Sequence, residues 1–488
     1  MLFFHRRSRA TKPRPWLLEL RSSTWFITIT VATAIFTDIF LYAVIVPVFP
    51  FQLADRVGVA KEDVQYWLSI LLSTYSAALL VSAPMFGWLS DRIDERKNVL
   101  LAGLIVLCGA TVMLCLAVNL PLLIVGRLLQ GASAGVVWVT GLALLADTVG
   151  KEHAGQAMGY VGLAYSAAAL IAPLLGGVVY AQAGYYAVFA MCFGMIGLDI
   201  VLRLLLIEKK VAKRWLIVDN VEPGQHGGAR LEPIEPQSPT AAKDMSVPDT
   251  EAQVPDQQGT TNTIAKKLPP MLILLKSKRM QATFWACAVT ALTLTVFDVT
   301  LPLFVEQTFH WSSVGAGVIF LALLLPSFFQ PLFGWMVDKH GPKWMAGIGL
   351  LVCIVPYICL RFVDHNSMSQ KVLLCALLFI IGIGVCLALA ATMTEFTVIC
   401  MEKEQRQPGS MGRGGAYAQS YSLFNVSWAL GSLVGAYWAG GVKQAAGWGT
   451  MGWSLAILCA VVSVPTFIYV GGSLFKKNKN EHTVADSA

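Results

Sequence analysis

Six apolar stretches of roughly 20 residues precede residue 210, and six more follow residue 280, with a long polar segment between them. A helix needs about 20 apolar residues to cross a bilayer, and lipid leaves no backbone polar group without an internal partner. The candidate spans are 24–47, 66–88, 98–118, 120–146, 155–180 and 185–207, then 281–305, 313–336, 343–363, 371–400, 413–440 and 447–471. The chain is 56% hydrophobic and 13% charged, against about 25% charged in an ordinary soluble domain. The expected fold is an all-α membrane protein, with twelve transmembrane helices in two six-helix pseudo-symmetric bundles. The bundles are placed at 24–207 and 281–471, with tails at 1–23 and 472–488 and a linker at 208–280.

Residues 218–262 are rich in Pro, Gln, Asp and Ser with hardly an aromatic, so the linker is expected to be largely disordered. Even numbers of spans put both termini and the linker on one side. That side holds about eighteen Lys and Arg outside the linker, and the other about five: Arg56, Lys61, Arg361, Lys371 and Lys443. The positive-inside rule then predicts cytoplasmic termini and linker. The net charge of +7 is scattered in short clusters between spans, which argues against nucleic-acid binding. The ten cysteines lie in or at the ends of apolar runs with no CxxC spacing, and read as small core residues, not metal ligands or disulfides. The first 22 residues are basic without an early apolar core, so no cleavable signal peptide is predicted. No HExxH, P-loop, GxSxG or dinucleotide fingerprint occurs, which argues against an enzyme; no metal or cofactor is expected.

The halves echo each other. GWLSDR (87–92) closes the second span and GWMVDK (334–339) closes the eighth; Gly176–Gly177 and Gly440–Gly441 match in the fifth and eleventh. Internal duplication of this kind is how many transporters are built. Glycine lets two helices approach closely, and a carboxylate at the helix end can pair with a base across the gap, latching one conformation of a rocking bundle.

These stretches resemble the major facilitator superfamily. In the loop between spans two and three, Gly87, Asp91 and Arg92 fit its motif, while Asp94 and Glu95 stand where glycine is usual; the second copy keeps Gly334, Asp338, Gly341 and Lys343. GRLLQGASAG (126–135) resembles the fourth-span motif and makes Arg127 a proton-relay candidate, as in proton-coupled relatives. In the fifth span, Pro173, Gly176 and Gly177 follow the antiporter motif with Ala172 replacing a glycine; the eleventh-span copy keeps Gly435 but has Ala436 for proline. The resemblance is to the twelve-span drug:proton antiporters and vesicular amine transporters. Span one ends in Pro47-Val48-Phe49-Pro50, with Asp38 nine residues before the first proline, and Asp298 stands four before Pro302 in span seven. The segment AYAQSYSLFN (416–425) is similar to fungal members of this branch.

What the resemblance implies is a midplane cavity lined by spans one, seven, ten and eleven. Asp38, Asp298, Glu395, Tyr421 and Asn425 are then the candidate proton and substrate site. A carboxylate at mid-bilayer costs about 2.5–3.5 kcal/mol on insertion scales, so such acids are expected to face a polar cavity or carry protons. Asp199 and Arg203, spaced i, i+4 in span six, are expected to pair locally. The expected activity is proton-coupled export of a small organic compound such as a drug, toxin or secondary metabolite. Proton-coupled uptake of a nutrient or organic acid, and a non-transporting sensor whose linker signals, are the alternatives. The expected partners are a small-molecule substrate, protons and the lipid bilayer. A monomer is expected, in the plasma membrane or a vacuolar or vesicular one.

Overall fold

The structure is a computed structural model that describes residues 15–45, 48–49, 52–60, 63–93, 95–150, 152–219, 270–311, 313–406 and 417–472. Pro47, Pro50, Asp94 and the central linker therefore lie outside the described residues. Among the described residues, eleven helices are long and apolar enough to cross a bilayer, and the segment from Tyr417 to Gly447 brings the spans to twelve.

The first half holds spans one to six: Thr24–Val44, Val64–Ser90, Arg96–Leu116, Leu120–Val149, Ala154–Ala183 and Tyr185–Leu205. Polar caps set the starts of two of them. The Ser23 hydroxyl accepts from the Phe26 N–H at 3.2 Å, and the Asn119 side chain accepts from the Leu122 N–H at 3.0 Å. In the second half, span seven is Lys278–Phe309, span nine Pro342–Cys359 and span ten Met368–Arg406. Span eight is broken. Ser313–Leu324 passes through a 3₁₀ turn at Leu325–Phe329 into Gln330–His340, where Pro326 and Pro331 each remove a backbone donor. Spans eleven and twelve run within Tyr417–Tyr469 and separate at Gly447, with φ 81° and ψ 176°. Gly184, at the same turn between spans five and six, has φ 81° and ψ −176°. Only glycine adopts this conformation without strain, so the duplicated sequence carries a duplicated turn.

Short helices flank the linker's undescribed centre. Lys209–Asp219 is tied to the first half by Lys209 Nζ, which donates to Thr24 Oγ1 at 2.6 Å. Pro270–Leu275 lies against span eleven, where the Met271 N–H donates to Gln419 Oε1 at 3.0 Å. The face carrying these helices is the linker side.

Three large apolar clusters make the core. One is confined to the first half, around Leu41, Leu107 and Phe189, and one to the second, around Phe297, Tyr357 and Leu378. The third joins both halves: Ile35, Trp138 and Met158 meet Phe396, Tyr421 and Phe424. It extends toward the linker side, since span two meets span eleven there and span five meets span eight.

Candidate functional site

Asp38 sits past the middle of span one, fully buried at 0% exposure. Its Oδ2 accepts the Trp138 indole N–H at 3.1 Å and, more weakly, the Tyr75 hydroxyl at 3.4 Å, while Oδ1 has no hydrogen-bond partner among the described residues. One turn on, Tyr42 packs against Tyr75 with ring centroids 4.5 Å apart. Behind Asp38, span six supplies the expected Asp199–Arg203 pair: Arg203 Nε and Nη2 grip the two carboxylate oxygens at 2.9 and 2.6 Å. That pair lies within electrostatic reach of Asp38.

Asp298, on span seven, differs: its carboxyl is accessible at the protein surface, although protein atoms crowd around it. It lies close enough to act electrostatically on Tyr42 and Tyr165 of the first half. Both aspartates thus belong near the interface of the halves: Asp38 is enclosed beside Trp138, whose ring meets Phe424 of the second half, and Asp298 influences tyrosines of the first.

Arg127 is also fully buried. Its Nη1 donates to Gln130 Oε1 at 2.6 Å, and its guanidinium lies 4.3 Å over the Phe49 ring and 5.3 Å over Tyr42. The remaining donors, Nε and Nη2, have no partner among the described residues. Tyr42 feels both Arg127 and Asp298.

The other three residues expected in this site do different things. Glu395 is not grouped with the aspartates: it is ion-paired with Arg279 of span seven, and its Oε1 accepts the Gly471 N–H at 2.7 Å. The sequence shows the acid in span ten but not the base at the mouth of span seven, which folding brings to it. Tyr421 joins the halves, its hydroxyl shared with Thr397 and reaching Met158 Sδ at 3.5 Å. Asn425 donates to the Tyr421 carbonyl of its own helix at 2.8 Å.

Between the aspartates and the linker side lies an aromatic tier that sequence reasoning missed. Trp138 of span four meets Phe424 of span eleven with centroids 6.3 Å apart; Tyr165 of span five meets Trp428 of span eleven at 5.8 Å. Trp138–Tyr165 and Phe424–Trp428 contacts at 5.9 and 6.0 Å close the ring of four. A buried indole needs a partner for its N–H, and this was the one signal in the sequence that could have tied Trp138 to Asp38.

The linker side is closed by two matching latches. The Asp91 carboxylate, ending span two, accepts the N–H groups of Ala418 and Gln419 at the start of span eleven, both at 3.0 Å. Asp338, ending span eight, accepts the N–H groups of Gly155 and Gln156 at the start of span five, at 2.7 and 2.9 Å. A helix start offers unpaired N–H groups and a positive dipole end, so each carboxylate caps a helix of the opposite half. This corrects the expected partner: among the described residues, what each aspartate grips across the gap is a pair of backbone N–H groups and not a base, with His153 acting on Asp338 only electrostatically. Arg92 instead stacks 3.8 Å over Trp88, and Lys343 donates to the Gly472 carbonyl at 2.6 Å; among the described residues the base that reaches Asp91 is Arg96, from the same loop, at 3.4 Å. Burial pushes the Asp91 carboxyl up from its ordinary range, against the downward pull of Arg96 and the span-eleven N–H groups. Gly87 and Gly334, four residues before each aspartate, make the approach possible. A Cβ on Gly87 would lie 2.8 Å from that of Ser422, and one on Gly334 would collide with the Gly155 backbone.

The fifth- and eleventh-span glycines form seams inside each half. Gly176 abuts the Val44 carbonyl of span one, and Gly435 abuts Leu292 of span seven. The pseudo-symmetric seams therefore hold the two aspartate-bearing spans. Gly177 faces open space, and Pro173 lies within the span-five helix.

Comparison with known proteins agrees with this architecture. A family model described as Major Facilitator Superfamily matches residues 31–325 and 283–485. An uncharacterized MFS-type transporter, C18.02, of Schizosaccharomyces pombe is 34% identical, over 92% of this chain and 96% of its own. The class B tetracycline resistance protein of Escherichia coli is 25% identical, over 68% of this chain and 71% of its own. Among solved structures, the human organic anion transporter MFSD10 (TETRAN) superposes with a TM-score of 0.62 at 14% identity, over 91% of this chain and 99% of that one.

Proposed function

Because this chain belongs to the major facilitator superfamily of transporters, we propose that it is a proton-coupled antiporter exporting a small organic compound. One observation supports the reading: Asp38 is buried beside Trp138, whose ring meets the opposite half, and Asp298 acts electrostatically on first-half Tyr42, with the interface closed on the linker side. A buried carboxyl such as Asp38 is costly as an anion and cheap as an acid, which suits a group that takes up and releases a proton once per cycle. The glycine seams of the antiporter motif and the likeness to a tetracycline resistance protein favour export over uptake.

In the cycle, Asp38 and Asp298 take protons from the acidic outer or lumenal face. The halves rock and the linker side, read as cytoplasmic from its basic residues, opens. The acids then yield their protons as substrate binds. A cationic or amphipathic compound suits the carboxylates and the aromatic tier, by charge pairing and cation–π contact. The plasma membrane and an acidified vacuole or vesicle both supply the gradient.

Metabolite profiling of cells lacking the protein, inside against medium, identifies the compound. Its flux into proteoliposomes with an acidic lumen then tests the mechanism. Asp38→Asn should abolish gradient-driven accumulation and leave the protein folded. Accumulation by that variant at the wild-type rate would defeat the proposal.

A further inference from the structure

Trp138 has two attachments that no other described residue combines. Its N–H holds the Asp38 carboxylate at 3.1 Å, and its ring meets Phe424 of the opposite half. Through Phe424 it is continuous with Phe396 of span ten, 5.8 Å away, and with Trp428. On span eleven, Phe424 stands six residues inside the Ala418 latch, about 9 Å along the helix. The indole therefore connects the acid of span one to the contact that keeps the halves together.

We infer that Trp138 is the positioning residue that couples the protonation of Asp38 to opening of the linker side; the inference rests on the reading of Asp38 as a proton carrier. A charged carboxylate makes a stronger hydrogen bond to an N–H than a neutral carboxyl does, and an indole can only donate. When Asp38 is charged, the indole is pinned in the orientation that packs on Phe424. When Asp38 takes a proton, that hold weakens and the tier loosens.

The groups facing Asp38 make the indole the part that can move. Span two presents Tyr75, whose 3.4 Å bond is longer than that of Trp138; span six presents Asp199 and Arg203, which hold each other. Tyr42 of span one turns to Tyr75, and Tyr165 of span five faces the Trp138 ring, not the carboxyl. The Oδ1 atom, without a partner among the described residues, can take the proton while Oδ2 keeps the indole.

The test needs no substrate. Hydrogen exchange of peptides covering 417–428, corrected for the intrinsic pH dependence, is followed across pH in the purified full chain. Wild-type exchange should rise on acidification. Trp138→Phe keeps a ring at the interface but has no N–H, and its exchange should lose the pH response. Phe424→Leu leaves the Trp138–Asp38 bond in place. Coupling is reciprocal, so loosening the tier weakens the hold on charged Asp38. The midpoint should then move up by about one pH unit, the scale of a weakened bond to a charged group. A wild-type pH response in Trp138→Phe, or an unmoved midpoint in Phe424→Leu, overturns the inference; the second variant decides if the first does not fold. The two proposals fail separately. If Asp38→Asn still accumulates substrate against the gradient, the proton-carrier reading is wrong. If that variant is dead while Trp138→Phe responds to pH like wild type, only the coupling role is.

Discussion

Arg203 and Arg279 each present Nε and Nη2 to both oxygens of a carboxylate, Asp199 and Glu395 respectively. Arg127 points the same two atoms at no partner among the described residues, though it is as buried as Arg203. The difference sets opposite expectations for one substitution. Arg203→Met strands Asp199 as a buried, uncompensated charge, a loss of about 3–5 kcal/mol by the usual cost of breaking a buried pair. Arg127→Met strands no carboxylate and removes a charge that lacks one, so it should melt much closer to wild type while losing transport. Thermal melting in detergent distinguishes them, and equal losses would mean that Arg127 has a buried counter-charge after all. At this scale the sequence was informative about types and poor about partners. Asp38 stood out because a carboxylate interrupts a greasy run, and Asp199–Arg203 because i, i+4 spacing fixes neighbours on a helix. Glu395 looked like the aspartates, because its ion pair with Arg279 joins residues 116 apart. Trp138, in the apolar run GVVWVTG, signalled only that a buried indole needs an acceptor, not that the acceptor is the acid 100 residues away.

Elements meet across the halves by a rule used twice: a helix ending in Gly-x-x-x-Asp caps a helix that begins in the other half. The Gly–Asp spacing was legible, since it appears at 87–91 and again at 334–338. Its partner was not, because backbone N–H groups at a helix start leave no mark on residue type. Charge-assisted hydrogen bonds contribute about 1.5–3 kcal/mol, so each latch is strong enough to bias the resting state. Replacing either aspartate by asparagine keeps the shape and removes the charge that the helix dipole favours. Both Asp91→Asn and Asp338→Asn should raise solvent accessibility of the linker side, and by similar amounts because the latches are copies. Alkylation of a cysteine introduced at the Ala418 position reads the first and one at the Gln156 position the second, each in a background with the native cysteines replaced. An increase in one variant alone would show that the latches are unequal. No increase in either would show that the aromatic tier suffices to keep the side closed.

For the molecule as a whole, glycines fall into two sets that alternating access must treat differently. Gly155, Gly334 and Gly87 lie at contacts between the halves, on the closed linker side. Gly176, Gly431 and Gly435 lie within a half, against spans one and seven. If the halves rock as rigid bodies, the first set must separate in every cycle and the second must never do so. The hydropathy pattern, read as twelve spans in two related sets, already implied rigid halves. What it could not show is which small residues serve the joint and which the seam, since both sets serve close helix approach. Substitution separates them. A methyl group at Gly334 collides with the backbone of Gly155 only while the linker side is closed, so Gly334→Ala should favour the opposite state at little cost to the fold. At Gly431 the methyl meets the Ala288 backbone in both states, and the overpacking, typically about 1–3 kcal/mol, falls on the folded half itself. Gly334→Ala should therefore keep its melting temperature and lose the resting closure, seen as a longer distance between spin labels on the linker-side ends of spans five and eight. Gly431→Ala should melt lower with that distance unchanged. If the two variants behave alike, the halves do not move as rigid units, and the division of labour between joint and seam fails with them.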